Sequence, residues 1–204
     1  MERKGEKRKQ QVFDTAARLF AERGYSRTSI RDLSQALDLQ KSSLYYYFES
    51  KEELLFLLLN DFMDRALEAI DQVCGQEAPP LEKLAGFMRV YTSFYAGDRH
   101  RLSLLVNDLD CLGPKLKHQV LAKERRYLAA IKGILSDLKQ AGLLRDLPIS
   151  VAVFAFFGMV HYTPKWYSQD GSVSPEELGR LFQQIFCQGV LQGPLPASGQ
   201  GEGA

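Results

Sequence analysis

The stretch GYSRTSIRDLSQALDLQKSSLYYYFESK, residues 24–51, reads as two short helices around a three-residue connection. Ile30, Leu33 and Leu37 fall on one face of the first, Thr28 or Ser29 is placed to cap it, and Asp32 lies in its first turn. Asp38-Leu39-Gln40 joins it to a second, shorter helix expected over Lys41 to Phe48, in which Leu44 and Phe48 lie four apart and face the core. This is the layout of a helix-turn-helix, whose second helix enters the major groove of DNA while the first braces it. The side chains suit that task. Lys41, Ser42 and Ser43 set a cation, small hydroxyls and free backbone N–H groups at the second helix's start, where phosphates and base edges are met. Tyr45, Tyr46 and Tyr47 spread round the same helix. Arg27, Thr28, Ser29, Gln40 and Lys51 complete the candidate DNA-binding residues, the hydroxyls of Thr28 and Ser29 and the Lys51 ammonium being placed for backbone phosphates.

Working outward, Val12, Ala16, Leu19 and Phe20 recur at helical spacing before Gly24, which suits the residue just past a helix end. On the other side Ser50, with Glu53 three residues on, makes a capping box for a long apolar helix running to about Cys74. Gly75 to Pro80 breaks the chain. Further helices are expected over Leu81 to Ala96, Leu102 to Leu109 and Lys115 to Ala141. Another is expected from a cap at Ser150 to about Tyr167. The last starts at Ser174, with Pro175 and Glu177 in its first turn, and ends near Gly193. No repeat and no convincing strand is found, so the fold class is all-α. The domain division expected is a helix-turn-helix unit over 1–51 with the connecting helix beginning at 51–75, an effector-binding and dimerisation unit over 76–193, and a Gly/Pro/Ser-rich disordered tail over 194–204.

The first 51 residues carry eleven Lys/Arg against seven Asp/Glu, and the remainder fifteen against eighteen, although the whole chain is only +1. A basic front on a slightly acidic body fits a nucleic-acid module joined to a part with another task. Hydrophobic residues are 45% of the chain and charged residues 25%, ordinary for a globular protein able to build a core without metals or disulfides. Cys74, Cys111 and Cys187 are odd in number and unspaced for zinc, so reduced thiols in a cytoplasmic protein are expected. The charged first ten residues are not a signal peptide, and no apolar run reaches a membrane span. His100, His118 and His161 lie far apart with no nucleophile-base or metal spacing around them. An enzyme is therefore not expected, nor any metal or cofactor.

The frame Phe20, Gly24-Tyr25, Thr28-Ser29-Ile30, Leu33, Ala36, Leu39, Lys41, Leu44-Tyr45, Tyr47-Phe48 and Ser50-Lys51 resembles the TetR family of transcriptional regulators. That family usually has Gly at the position of Asp38, Ser at Gln40 and often Gly at Ser42, departures that touch the turn and the recognition helix's cap. The resemblance implies a homodimeric regulator, by family expectation a repressor, on a palindromic DNA operator. The other reading weighed is a helical adaptor that has lost DNA binding. A weaker resemblance at Gly158 to Tyr167 and Ser174 to Leu178 is to regulators of fatty-acid and aromatic-acid degradation, several of which sense acyl-CoA thioesters. It implies a small, largely apolar effector.

The helix over 151–167 is apolar nearly all round, which suggests cover by a second copy of the chain. With the last helix it supplies the expected dimer interface: Phe156, Val160, Leu178, Leu181, Phe182, Ile185 and Phe186. Phe87, Tyr91, Phe94, Tyr95, Phe154, Phe157, His161 and Trp166 are the candidate effector-pocket residues, with Arg or Lys expected at the mouth; plain core packing serves the aromatic ones equally well.

Overall fold

A computed structural model describes residues 2–190, with side chains from residue 5 onward; the expected tail over 194–204 lies outside them. Among the described residues the chain is all-α. The first helix, α1 (Glu2–Arg23), buries Val12, Phe13, Ala16, Ala17, Leu19 and Phe20. It stops at Gly24, whose φ of 90° is open to glycine and whose N–H closes on the Phe20 carbonyl at 2.9 Å. Helix α2 (Ile30–Leu37) starts on a full capping box. The Ser29 hydroxyl accepts from the Asp32 N–H, and the Asp32 carboxylate accepts from the Ser29 N–H at 2.7 Å. It ends at Asp38 in the left-handed conformation, φ 49° and ψ 51°.

The third helix is shorter than its sequence suggests. Helix α3 covers Lys41–Leu44 only, and Tyr45 to Tyr47 follow as turn, the Tyr47 N–H bonding three residues back to Leu44. Gln40 gives it no side-chain cap, so nothing local favours a longer helix. Leu44 and Phe48 are still buried together.

Helix α4 (Lys51–Cys74) is capped by Ser50, which accepts from the Glu53 N–H at 3.0 Å. The Glu53 carboxylate takes the N–H of Glu49, not that of Ser50, so the box is displaced by one residue. Its buried face, from Leu54 to Ile70, meets α5 (Pro80–Gly97) and α7 (Pro114–Gln140), with α6 (Arg99–Asn107) beside α1. Helix α8 is Ile149–His161 and α9 is Pro175–Val190. Pro148 precedes α8, so Ser150 lies inside its first turn and is not its cap. The helix ends at His161, short of Tyr167, because Pro164 has no N–H to continue the α-helical ladder; Thr163–Lys165 is a 3-10 turn. Helices α5 and α9 pack so closely that a Cβ on Gly179 would stand 2.9 Å from the Arg89 carbonyl oxygen.

One buried apolar cluster runs from α1 through α9. A buried arginine ties α6 to α1: Arg101 on α6 pairs with Asp98 at 2.6 Å and with Asp14 on α1 at 2.8 Å. No helix among the described residues is long and apolar enough to cross a membrane.

Candidate DNA-binding surface and ligand cavity

The exposed side of α2 and α3 is built from side chains that the buried side does not need. Leu33, Leu37, Leu44 and Phe48 are buried in the core cluster, with α2 packed on α1 and α3 on α2. That leaves Gln40, Lys41, Ser42, Ser43 and Tyr45 facing solvent, with Tyr46 87% exposed. The Lys41 ammonium lies 5.9 Å from the Tyr45 ring centre, and Tyr46 meets Tyr47 edge-on. Arg27 is exposed beside Gly24. These groups form one patch of cation, hydroxyl, amide and phenol, the chemistry that meets phosphates and base edges.

Three of the expected contacts sit differently. Thr28 is buried; its hydroxyl donates to the Gly24 carbonyl at 3.0 Å, and its N–H also turns back to Gly24 and Tyr25. It therefore closes the turn after α1 and has no donor left for a phosphate. The Ser29 hydroxyl is taken by Asp32, at 2.6 Å, and the two Ser29 hydrogen bonds hold the Asp32 carboxyl below its ordinary pKa. Lys51 is drawn inward, its ammonium 4.2 Å from the Tyr25 ring centre and 3.5 Å from the Ser26 carbonyl; burial lowers its pKa. A positioning group escaped the sequence reading: Arg8 donates to the Leu37 carbonyl at 3.2 Å, closing the C-terminal end of α2. Only its place in a basic run marked it.

In the rest of the chain an aromatic cavity of about 240 Å³ opens between four helices. Tyr91 and Tyr95 come from α5, Leu105 from α6, Glu124, Tyr127 and Leu128 from α7, and Phe154, Phe157 and His161 from α8. A second cavity of about 280 Å³ adjoins it across Leu105, Glu124 and His161 and reaches Asn107 and Asp110. The Tyr91 hydroxyl and His161 Nε2 are 2.9 Å apart. Burial lowers the His161 pKa to about 4, so its ring is neutral. Burial also raises the phenols of Tyr91, Tyr95 and Tyr127 and the carboxyl of Glu124.

Five of the eight expected pocket residues thus meet here. Phe87 is fully buried against Tyr91 and Phe156, Phe94 stacks on Phe62, and Trp166 lies by Phe182 on the outside. No Lys or Arg lines either cavity, against the expectation of a basic mouth. The α7 contribution was missed. Its signal was present: Glu124 falls between Val120 and Tyr127 in the core-facing stripe of α7, an acid where apolar side chains belong.

The expected interface residues divide likewise. Phe156, Val160, Leu178, Phe182 and Phe186 are buried within the chain's own core, because α8 and α9 pack those faces on α5 and on each other. Leu181 is half-buried, and Ile185 is 59% exposed. On α8, α9 and the segment between them the large apolar side chains left in solvent are Val151 and Phe154, each 60% exposed, with Tyr162, Trp166 and Ile185.

Two family models match the chain: bacterial regulatory proteins of the tetR family over residues 12–58, and the tetracyclin repressor-like C-terminal domain over 77–190. Among curated relatives, the HTH-type transcriptional repressor KstR2 of Mycolicibacterium smegmatis is 28% identical over 191 residues, 91% of either chain. A TetR-family transcriptional regulator from Bordetella parapertussis superposes with a TM-score of 0.79 at 33% identity, covering 87% of this chain and 93% of that one. AibR, solved in complex with isovaleryl coenzyme A and operator DNA, gives 0.77 at 28% identity, covering 87% and 97%. The patch on α2 and α3 lies inside the first matched segment and the aromatic cavity inside the second, and the chain belongs to the TetR family of bacterial regulatory proteins.

Proposed function

We propose that the chain is a cytoplasmic, homodimeric repressor that binds a palindromic operator and releases it when a small, largely apolar effector fills the aromatic cavity. The observation that carries this reading is the division of α3 and its turn. Leu44 and Phe48 anchor it wholly in the core, while Lys41, Ser42, Ser43, Tyr45 and the 87% exposed Tyr46 are left free for DNA. The helix-turn-helix unit is assigned to residues 1–51 with α4 as its connection, and effector binding and dimerisation to 76–193. Within the first unit the contacts assigned to DNA are Arg27, Gln40, Lys41, Ser42, Ser43, Tyr45, Tyr46 and Tyr47, with Thr28, Ser29 and Lys51 holding the frame.

One short recognition helix reads too few bases for tight specific binding, and twofold pairing doubles the site. The exposed apolar side chains Val151, Phe154, Tyr162 and Ile185 support α8 and α9 as the pairing face. Phe154 also lines the cavity, so a second copy on that face closes one of the cavity's walls. An acyl-CoA thioester is the effector class favoured. Its apolar acyl part suits an aromatic cavity of about 240 Å³, and AibR, a relative of like fold, binds isovaleryl coenzyme A.

Selection of bound sequences from a random DNA pool tests the reading. It should return a palindrome, and short acyl-CoA esters should release it. Recovery of no enriched sequence would favour the adaptor reading.

A further inference from the structure

The positive charge of the DNA-binding unit is concentrated at its front. Residues 1–11 hold five Lys/Arg against two Asp/Glu, and residues 12–51 hold the other six against five. Helix α1 is already formed there, yet from Gly5 to Gln11 only Arg8 is half-buried and the rest is exposed. The first core side chain is Val12. These seven residues, about 10 Å of helix at about 1.5 Å each, are therefore not held by packing. Their charge does not favour the helix either, because cations at an N-terminal end oppose its dipole.

The cations are also left uncompensated. Lys7, Arg8 and Lys9 have no acidic partner among the described residues, whereas Arg18, later on the same helix, pairs with Glu22 at 3.1 Å. Lys9 lies 5.4 Å from the Phe13 ring centre, and the Arg8 guanidinium is engaged by the Gln11 side chain and the Leu37 carbonyl. The last of these contacts fixes where the charge sits. Leu37 ends α2, and Lys41 opens α3 four residues later. Arg8 thus holds the front of α1 beside the connection into the recognition helix. Lys7 and Lys9 flank Arg8 on either side, since successive helical residues are about 100° apart. Duplex DNA carries a charge every ~1.7 Å of its axis, and exposed lysines beside the start of a groove-reading helix are suited to that backbone. The segment matched to tetR-family regulatory proteins begins at residue 12, so this extension lies outside it.

We infer that the front of α1 is a second DNA-contacting segment, in which Lys7 and Lys9 bind duplex phosphates beyond those met by α3 while Arg8 holds the segment to α2. It contributes affinity without sequence preference. The inference rests on α3 binding DNA, as proposed above.

The test compares the full-length Lys7→Ala/Lys9→Ala protein with the parent. Two duplexes of equal length are used: the selected palindrome with about one helical turn of flanking DNA on each side, and an unrelated sequence. Four lysines are lost per dimer, so the logarithmic salt slope should fall in magnitude by about three to four. Affinity at about 0.1 M salt should drop at least about tenfold on both duplexes, leaving their ratio within about threefold of the parent's. Hydroxyl-radical footprinting should lose protection only outside the positions covered by α3. Thermal unfolding should be unchanged or slightly later, alanine being the better helix former. Lys132→Ala/Lys139→Ala removes equal charge from exposed sites on α7, which packs on α4, α5 and α8, and should leave slope and footprint as they are. An equal loss in that control would overturn the inference, the effect then being the field of the whole protein. A collapsed ratio between the two duplexes would overturn it as well, since it marks base contacts. So would a Lys7→Ala/Lys9→Ala protein with the parent's slope and footprint, while weakened binding by Lys41→Ala and Tyr46→Ala would still support α3. If those variants also bind like the parent, both readings fall.

Discussion

Replacing Asp38 by Gly should make the protein more stable. Asp38 ends α2 at φ 49° and ψ 51°, where an L-residue carries a penalty of about 1–2 kcal/mol, smaller for Asp than for most. Its carboxylate also stands at the C-terminal end of a helix dipole, which costs about 0.3–1 kcal/mol at low salt. Glycine removes both terms and gives back about 0.4–1 kcal/mol through the greater freedom of the unfolded chain. The net is a gain of about 1 kcal/mol. Asp38→Asn, which removes the charge and keeps a residue tolerant of that conformation, should gain about half as much by the dipole term alone. Asp38→Ala should be no more stable than the parent, because its Cβ still meets the left-handed penalty. Urea unfolding at one fixed protein concentration reads this as a midpoint shift of about 0.3–0.5 M for a slope near 2–3 kcal/mol per M. A glycine variant that unfolds at the same or lower urea would refute the reasoning. So would an alanine variant equal to the glycine one, since the effect would then not be conformational.

Other consequences can be checked separately. Thr28→Val leaves the carbonyls of Leu19 and Gly24 without the hydroxyl's hydrogen, so it should cost about 1–2 kcal/mol of stability. Filter binding should show no change in the salt dependence of DNA affinity, because Thr28 has no donor to offer a phosphate. The depressed pKa of His161 makes the folded state bind fewer protons than the unfolded one between about 6.5 and 4. Stability from this group is thus complete above pH 6.5 and falls as pH drops toward 4, by up to about 3 kcal/mol. Glu124, with its raised pKa, acts in the opposite sense, so the His161→Gln minus parent difference in unfolding free energy is the measurement that isolates the histidine. Val151→Glu should shift the protein from dimer to monomer in sedimentation, as a charge on a covered apolar face costs several kcal/mol when unpaired.

Much of the DNA-binding half was legible because its signals are local. Ser29 three residues before Asp32, Ser50 before Glu53, and Leu33, Leu37 and Leu44 at helical spacing each specify structure from a few neighbours. The errors there are also local. Nothing in the spacing of Lys41 to Phe48 says that α3 stops at Leu44, because Leu44 and Phe48 are both buried in a helix or in a helix followed by a tight turn. Thr28 could be read as a surface hydroxyl or a buried one; its neighbours in space, Leu19 and Gly24, decide. The second half depends on which helix faces which. Tyr91, Tyr95, Phe157 and His161 were found because α5 and α8 are conspicuously aromatic, yet Phe87 on the same stripe is solid core. Glu124 and Tyr127 come from α7, whose partner helices no pattern in α7 reveals. The α8 and α9 residues expected at a dimer interface were chosen by apolarity. Apolarity alone cannot separate Phe156, which packs on Phe87 and Phe186, from Phe154, two residues away on the opposite, exposed face of α8.

The most direct test of the central claim is operator affinity measured against salt for the parent and for Lys41→Ala and Tyr46→Ala. Lys41 is exposed at the start of α3, so its loss should weaken binding and reduce the magnitude of the logarithmic salt slope by about one counterion per half-site. Tyr46→Ala should weaken binding with little change in slope, and both variants should remain dimers. Unchanged affinity and slope in both variants would contradict the placement of DNA on this face.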